Sequence, residues 1–198
     1  MKILIACEES QEITKAMRAQ GHEAYSCDIQ DQSGGHPEWH IKGDALKAIY
    51  SQSWDLLIAH PPCTYIANSG VPWLHKDASR WQKLDEACEF FRAILSAPIE
   101  RIAVENPIPH KYAVERIGRK YDQLIQPYQF GHMETKATCF WLKGLPKLVH
   151  TSNLKAETMA LPYKVRNRLH WLPPSPDRAK IRSKTYSGIA EAIAKQWA

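Results

Sequence analysis

The sequence predicts an α/β fold: a Rossmann-like open twisted sheet with helices on both faces. Three observations support this prediction. Short β-rich apolar runs alternate with segments whose apolar residues recur at helical spacing. That alternation is typical of parallel strands joined by crossover helices. The length of 198 residues fits one domain, 1–198, with a core of its own.

The first part of the chain supplies two strands and two helices. Residues 2–7, KILIAC, and residues 22–29, HEAYSCDI, are β-rich runs that we predict as strands. Between them, residues 10–21 have apolar positions at helical spacing and end in Gly21, a residue type that commonly follows a last helical turn. Residues 44–50, DALKAIY, are predicted as a short helix.

The rest of the chain continues the alternation. Residues 54–60, WDLLIAH, and residues 100–106, ERIAVEN, are predicted as the third and fourth strands, and residues 137–145, ATCFWLKGL, as the fifth. Residues 78–98 carry apolar side chains at helical spacing, and residues 187–197 are predicted as a terminal helix.

Charge and cysteine content narrow the class of protein. The net charge of +5 permits a polyanionic partner, and basic residues are concentrated in a short insert at about 150–182. Its basic and aromatic residues at 163–171 suit contact with phosphates and bases, although a solvated basic face would look similar. Five cysteines without a C-x-x-C pair argue against a disulfide framework or a zinc site. We expect a cytoplasmic protein with no membrane partner; the family resemblance given below implies a bacterial or phage-infected host cell.

The candidate functional residues follow the strands. In open α/β sheets, ligands bind outside the carboxyl ends of the strands, so residues 7–10, 28, 60–63 and 105–107 should converge on one crevice. Asp28 could bind ribose hydroxyls and Asp44 an adenine, while a turn aspartate and a helix N-cap are the alternatives. The first turn lacks G-x-G-x-x-G, which argues against NAD or FAD but not against S-adenosylmethionine.

Cys63 follows two prolines that stop a strand, and Glu105 lies at the end of the next predicted strand. A thiol and a carboxyl at adjacent strand ends could form a nucleophile and acid pair. The alternative is that Cys63 is only a small buried residue beside a tight turn. His36 and His40, four residues apart, lack a third ligand nearby, so we expect no metal.

Five segments occur in the order of motifs found in the DNA cytosine-C5 methyltransferases and resemble them. The sequence is most similar to small phage and prophage members of that family. YSCDI resembles their acidic second motif, KGDA their third, WDLLIAHPPC their nucleophile motif, RIAVENP their glutamate motif and SKTYSGIAEAIAKQW their tenth. Two segments depart from the family pattern. CEESQE replaces a glycine-rich first motif, and ETKATCFW has Lys136 and Thr138 where arginines are usual.

The resemblance implies an S-adenosylmethionine-dependent methyltransferase fold, that cofactor, and a flipped cytosine of DNA as substrate. It implies that the Cys63 thiolate adds to C6, that Glu105 assists at N3, and that Asn106 fixes the loop. Catalytic roles are thus expected for Cys63, Glu105, Asn106, Pro62 and Lys136. Cofactor contacts are expected from Cys7, Glu8, Ser10, Asp28, Ile29, Asp44, Ala45, His60, Pro61, Tyr186 and Ser187.

Three other functions remain open at this point. The HPPC segment also resembles the loop of amino-group DNA methyltransferases, although a cysteine stands where their stacking aromatic residue would be. The altered first motif, CEESQE, and the altered eighth motif, ETKATCFW, leave open a C5 modifier that uses a variant cofactor or a nucleotide substrate. A degenerate, non-catalytic methyltransferase fold that only binds DNA is the third alternative. The DNA target sequence and the oligomeric state do not follow from the sequence.

Overall fold

The structure is a computed structural model that describes all 198 residues. Seven strands form one sheet in the order β3-β2-β1-β4-β5-β7-β6. Their bounds are β1 Lys2–Ala6, β2 Glu23–Asp28, β3 His40–Lys42, β4 Leu56–Ala59, β5 Ile102–Pro107, β6 Gln123–Ile125 and β7 Thr138–Lys143. Neighbouring strands from β3 across to β5 are parallel, whereas β7 runs antiparallel to both β5 and β6.

Nine α-helices accompany the sheet. Their bounds are α1 Glu12–Ala19, α2 Ala45–Tyr50, α3 Val71–Leu74, α4 Ser79–Leu95, α5 Lys111–Ile117, α6 Lys155–Ala160, α7 Tyr163–Arg166, α8 Arg178–Ser183 and α9 Ser187–Trp197. No helix has both the length and the apolar character needed to cross a membrane. All five cysteines are free thiols.

Helices cover both faces of the sheet because its central strands are apolar on both sides. On β1, Ile3 and Ile5 belong to a core shared with α1 and α9, while Leu4 and Ala6 belong to a second core shared with α2, α4 and α5. The alternation follows from the two-residue period of a strand. The predicted fold class, an α/β Rossmann-like open sheet with helices on both faces, is confirmed.

The sheet differs from the prediction at its edges. The outer strands β3 and β6 have three residues each and were not predicted, because neither carries an apolar run long enough to stand out. The predicted fifth strand is β7, the seventh along the chain. The strand order reverses between β1 and β4, which is where an open α/β sheet forms its binding crevice.

Candidate active site

The loop after β4 places Cys63 at the edge of the sheet where the strand order reverses. The backbone N–H of His60 donates to β1 over 2.9 Å, which extends the pairing one residue beyond β4. Pro61 and Pro62 have no N–H with which to continue it. The chain then turns, and the Cys63 carbonyl accepts hydrogen bonds of 3.1 and 2.9 Å from the amides three and four residues on. Cys63 is consequently exposed at the mouth of the crevice.

Glu105, near the end of β5, lies beside His60. The imidazole Nδ1 of His60 and the carboxylate Oε2 of Glu105 are 3.0 Å apart, and their side chains are 14% and 20% exposed. Burial alone would raise the pKa of the Glu105 carboxyl. The hydrogen bond and charge of His60, together with Lys136, outweigh burial and hold that pKa below its ordinary value. His60, predicted as a cofactor contact, thus has its ring against the predicted acid.

Asn106 connects the same two strand ends. Its side chain is buried, and its Nδ2 donates a 2.8 Å hydrogen bond to the Pro61 carbonyl oxygen. A buried hydrogen bond therefore fixes the loop that carries Cys63 to β5.

The Cys63 thiol lies within a cluster of charged groups. Although the residue is exposed at its surface, its thiol pKa is raised, first because neighbouring atoms partly desolvate the sulfur and second because the Glu105 carboxylate opposes a second negative charge. A backbone hydrogen bond and the positive charges of Arg182 and Lys136 act in the opposite direction. Desolvation of the sulfur and the charge of Glu105 therefore both disfavour the Cys63 thiolate.

Lys136 joins this cluster from the segment before β7. Its Nζ donates a 2.8 Å hydrogen bond to the Arg182 carbonyl oxygen, and its backbone N–H donates to Gln126 Oε1 over 3.0 Å. Burial lowers the pKa of the Lys136 ammonium, while Glu105 and Cys63 counteract that effect. The sequence analysis did not single out Arg182, although its position in the basic run RAKIRSK just before the predicted tenth motif was a signal.

Residues 178–185, which we call the C-terminal arm, cover the crevice. Lys184 forms a 3.1 Å ion pair with Glu12, and the Lys180 ammonium lies 3.9 Å from Glu9. The arm leaves a cavity of about 20 Å³. Its lining includes His60, Glu105, Lys136, Thr138, Thr185 and Tyr186. Such a space accommodates a single water.

The turn after β1 is organised by Glu8. Its carboxylate accepts hydrogen bonds from the Ile13 N–H at 2.7 Å, the Thr14 N–H at 3.3 Å and the Thr14 hydroxyl at 2.7 Å. It therefore occupies the amides at the start of α1, where a phosphate would otherwise bind. Burial raises the pKa of Glu8, although His60 and these hydrogen bonds oppose the rise. Ser10, also a predicted cofactor contact, is buried in the same turn.

Predicted cofactor contacts meet at the ends of β1 and β2. Asp28 and Asp44 both lie close enough to Cys7 to contribute to its thiol pKa, which burial and these carboxylates raise to about 12. Asp28 accepts a turn hydrogen bond from the Gln30 N–H at 2.9 Å. Asp44 caps α2, in which Ala45 is the first residue, with a 2.9 Å bond from the Lys47 N–H. The turn and cap alternatives are therefore realised, and each carboxylate retains a second oxygen at this edge. Ile29, 76% exposed, presents an apolar surface beside them.

α9 packs against α1 on one face of the sheet, and side chains of neighbouring segments support its start. The Tyr186 hydroxyl donates a 2.8 Å hydrogen bond to Glu134 Oε2, and Ser187 is the first residue of the helix rather than its N-cap. His132 Nε2 accepts a 3.0 Å bond from the Gly188 N–H. Sequence reasoning assigned no role to His132 or to Glu134, although Glu134 is the first residue of the quoted segment ETKATCFW.

The two histidines considered as metal ligands have other partners. His40 Nδ1 lies 2.8 Å from Ser26 Oγ, and its Nε2 lies 2.9 Å from the Gln30 carbonyl oxygen. The His36 ring stacks on Trp39 at 3.7 Å between centroids. No group of three or more histidine, cysteine, aspartate or glutamate side chains in the chain is arranged to bind a metal.

The basic and aromatic residues at 163–171 form an exposed patch on and after α7. Tyr163 and Trp171 are 59% and 50% exposed. The Lys164 ammonium lies 5.0 Å from the Trp171 ring, and the Arg166 guanidinium lies 5.6 Å from the Tyr163 ring. We call these four residues the basic patch. In the basic patch, cationic and aromatic side chains thus lie next to one another at the protein surface.

Comparisons with known proteins give a limited result. No protein-family model matches the chain, and no curated protein matches its sequence. One solved structure to which the chain is similar is an E. coli protein assigned as a DNA modification methyltransferase encoded within a prophage. The TM-score is 0.48 and the sequence identity 15%, over 81% of this chain and 55% of that chain. The matched region thus spans about half the length of that protein. The assignment as a methyltransferase belongs to that protein.

Proposed function

We propose that the chain is an S-adenosylmethionine-dependent DNA cytosine-C5 methyltransferase, with one catalytic domain, 1–198, and a basic insert at about 150–182. The observation that carries the proposal is the convergence of Cys63, Glu105 and Lys136 beside the carboxyl ends of β4 and β5. Asn106 fixes the Cys63 loop to β5, and Glu105 and Lys136 line the same cavity, so a thiol, a carboxyl and an ammonium group come together from three separate segments. The order of motifs in the sequence supports the same assignment.

The chemistry begins with cytosine, whose C5 is a poor nucleophile. The Cys63 thiolate would form an S–C6 bond, and the C5–C6 π pair would move to the C4–C5 bond. The C4–N3 π pair would then take up a proton at N3 from the Glu105 carboxyl. C5 of the resulting enamine is nucleophilic. Once C5 carries a methyl group, loss of the C5 proton to a base would leave its electron pair to re-form the C5–C6 double bond as the C6–S bond breaks, and N3 would return its proton to the Glu105 carboxylate.

Lys136 and Arg182 favour the first step, because both lower the pKa of the Cys63 thiol. Proton donation by Glu105 requires a neutral carboxyl, and a neutral carboxyl also removes the negative charge that opposes the thiolate. Lys136 supplies a compact charge where the family usually has arginine, so it does not reproduce a bidentate contact.

The cofactor that this proposal implies carries no phosphate, and the chain fits that requirement. The Glu8 carboxylate already occupies the amides at the start of α1. Asp28 and Asp44 offer acceptors for ribose hydroxyls or an adenine amino group, and Ile29 offers an apolar surface. When bound, S-adenosylmethionine would supply an electrophilic methyl group. We propose that Cys7, Ser10, Ala45, Tyr186 and Ser187 line the rest of its site.

The proposed partner is DNA. Because C6 of cytosine cannot be reached within a base stack, the target base must be flipped out or already single-stranded. The basic patch would contact the phosphates, and its two aromatic rings suit stacking on unpaired bases.

The experiment that tests the proposal uses duplex DNA in which 5-fluorocytosine replaces cytosine, together with S-adenosylmethionine. Fluorine cannot leave C5 as a proton does, so the S–C6 bond should persist through denaturing electrophoresis. We expect this adduct for the unmodified protein and its complete loss for Cys63→Ser. Cys88→Ser, which changes a buried cysteine of α4, is the matched control and should retain the adduct. Absence of an adduct on every DNA sequence, with labelled methyl on adenine instead, would exclude cytosine-C5 chemistry.

A further inference from the structure

Glu9 is a buried glutamate in the turn between β1 and α1. The residue is 7% exposed, and its carboxylate oxygen Oε1 is buried and has no hydrogen-bond partner within the chain. The other oxygen, Oε2, accepts a 2.5 Å hydrogen bond from the Ser33 hydroxyl. A hydroxyl has a single O–H to donate, so this bond leaves Oε1 without a donor.

The neighbouring buried side chains of the same turn show what is unusual about Glu9. Glu8 accepts three hydrogen bonds through its two carboxylate oxygens. Gln11, which is fully buried, donates to the Ser26 hydroxyl and the His36 carbonyl oxygen and accepts from the His36 N–H. Acidic side chains are rarely buried this fully without a partner, because an unpaired buried charge is strongly destabilising. Oε1 of Glu9 is therefore an acceptor that the chain itself does not use.

The C-terminal arm connects Glu9 to the proposed reaction centre. The Lys180 ammonium lies 3.9 Å from Glu9 Oε2, and two residues further along the arm the Arg182 carbonyl oxygen accepts the hydrogen bond from Lys136 Nζ. A distance of 3.9 Å is too long for an N–H···O hydrogen bond. The Lys180 side chain is half exposed and has a flexible stem, so it can turn away and another ammonium group can take its place.

The chemistry of this position favours a cationic ligand with hydrogen-bond donors. A carboxylate repels the phosphates of DNA, so nucleic acid does not fit beside Glu9. S-adenosylmethionine has two positive groups, the sulfonium and the α-ammonium of its amino-acid part. The sulfonium has no N–H or O–H, whereas an ammonium has three N–H donors, as in lysine. The α-ammonium can therefore make the charge-assisted hydrogen bond that Oε1 lacks, and such bonds are stronger than neutral ones.

We propose that Glu9 binds the α-ammonium group of S-adenosylmethionine through Oε1 and so orients the amino-acid part of the cofactor. This inference rests on the proposed function. The motif resemblance implies no role for Glu9, because CEESQE departs from the family's glycine-rich first motif at this turn. The contact selects ligands with an amino-acid end over adenosine thioethers that lack the ammonium group.

The test measures, by calorimetry, the dissociation constants of two ligands: S-adenosylhomocysteine, and the analogue in which hydrogen replaces its α-amino group. Neither ligand has a sulfonium, so the two differ only in the ammonium. For the unmodified protein, we expect the analogue to bind about 10–100-fold more weakly, as the loss of one hydrogen bond between charged groups predicts. Glu9→Gln keeps the side-chain size and an acceptor for Ser33 but removes the negative charge. Most of the difference between the two ligands should therefore disappear in this variant.

Glu12→Gln is the matched control. Glu12 also pairs with a lysine of the C-terminal arm, Lys184, but its Oε1 already has Lys15 as a second partner. This variant should retain the full difference between the two ligands.

The outcomes separate failure of this inference from failure of the proposed function. Equal binding of the two ligands by the unmodified protein would overturn the inference, whether or not Glu9→Gln folds, and would leave the proposed function standing. The same ratio of dissociation constants in Glu9→Gln and the unmodified protein would also overturn it, because a merely structural role weakens both ligands alike. If the unmodified protein binds neither ligand, the proposed cofactor is excluded, and the inference falls with it.

Discussion

The Asn106 side-chain amide donates a 2.8 Å hydrogen bond to the Pro61 carbonyl oxygen, and thereby connects β5 to the loop that carries Cys63. Asn106 is 1% exposed, so water cannot replace this bond if it is lost. The nucleophile and the acid occupy neighbouring strand ends, and this contact fixes their relative position.

We expect Asn106→Ala to lower both stability and adduct formation. The variant leaves the Pro61 carbonyl without its partner, which should reduce the free energy of unfolding by about 1–3 kcal/mol. Urea denaturation measures that loss. Asn68→Ala, an exposed asparagine of the same region, is the control and should change stability little. A fully stable Asn106→Ala with an unchanged adduct rate would show that the loop does not depend on this bond.

Glu105→Gln should separate binding from chemistry. The substitution keeps the size of the side chain but removes the proton that N3 requires. We expect DNA affinity near that of the unmodified protein and a fall in turnover of about 10²–10⁴-fold. Gel-shift titration measures the first quantity and methyl transfer the second. Unchanged turnover would remove Glu105 from the mechanism.

The alkylation rate of Cys63 should report the charges around it. Because its thiol pKa is raised, the reactive thiolate is scarce at neutral pH, and the rate should rise about tenfold per pH unit until that pKa is reached. Lys136→Ala removes a charge that lowers the pKa and should slow alkylation at neutral pH. Glu105→Gln removes a charge that raises it and should accelerate alkylation. Labelling with iodoacetamide, followed by mass analysis of the Cys63 peptide, measures each rate. Equal rates in the three proteins would contradict the electrostatic coupling.

The parts of the fold that the sequence predicts are those whose residues carry a local pattern. β1 and β4 are continuous apolar runs because they are buried on both faces, and such runs are visible without a structure. β3 and β6 are edge strands of three residues, and their extended conformation depends on pairing with a neighbour. No local sequence pattern could therefore indicate that these two segments are strands.

In the candidate site, too, some residues are marked by a local sequence pattern and others are placed only by tertiary contacts. Cys63 and Glu105 could be identified because prolines and strand ends mark their positions. The contact of His60 with Glu105 depends on the register of β4 against β5, which pairs Ala59 with Val104 and so brings the following residues together. The placement of Arg182 depends on ion pairs from the C-terminal arm to Glu12 of α1 and to Glu9 just before it, more than a hundred residues away, and the sequence alone does not indicate them.

Glu8→Ala should destabilise the start of α1. The variant leaves the Ile13 and Thr14 amides and the Thr14 hydroxyl without an acceptor, at a cost of about 1–3 kcal/mol. The folded-state pKa of Glu8 is raised, so its titration contributes stability that is present below about 4.5 and is lost as pH rises through the folded-state value. The difference in free energy of unfolding between the two proteins should therefore be larger in acidic than in neutral buffer. Denaturant titrations at both conditions measure it. A difference that grows toward neutral pH would contradict the sign of the shift.

Asp28→Ala should weaken cofactor binding without affecting the fold. The Asp28 carboxylate lies at the end of β2 beside exposed Ile29, and its hydrogen bond to the Gln30 N–H orients it but leaves one oxygen available. Loss of one hydrogen bond to a ribose hydroxyl from a charged acceptor corresponds to about 1.5–3 kcal/mol, or roughly a tenfold or greater rise in the dissociation constant. Calorimetric titration with S-adenosylhomocysteine measures that constant without turnover. Asp31→Ala is the matched control, because Asp31 is an exposed aspartate three residues further on whose carboxylate pairs with Lys42, and it should bind normally. Equal affinities for Asp28→Ala and Asp31→Ala would place the adenosine group elsewhere in the crevice.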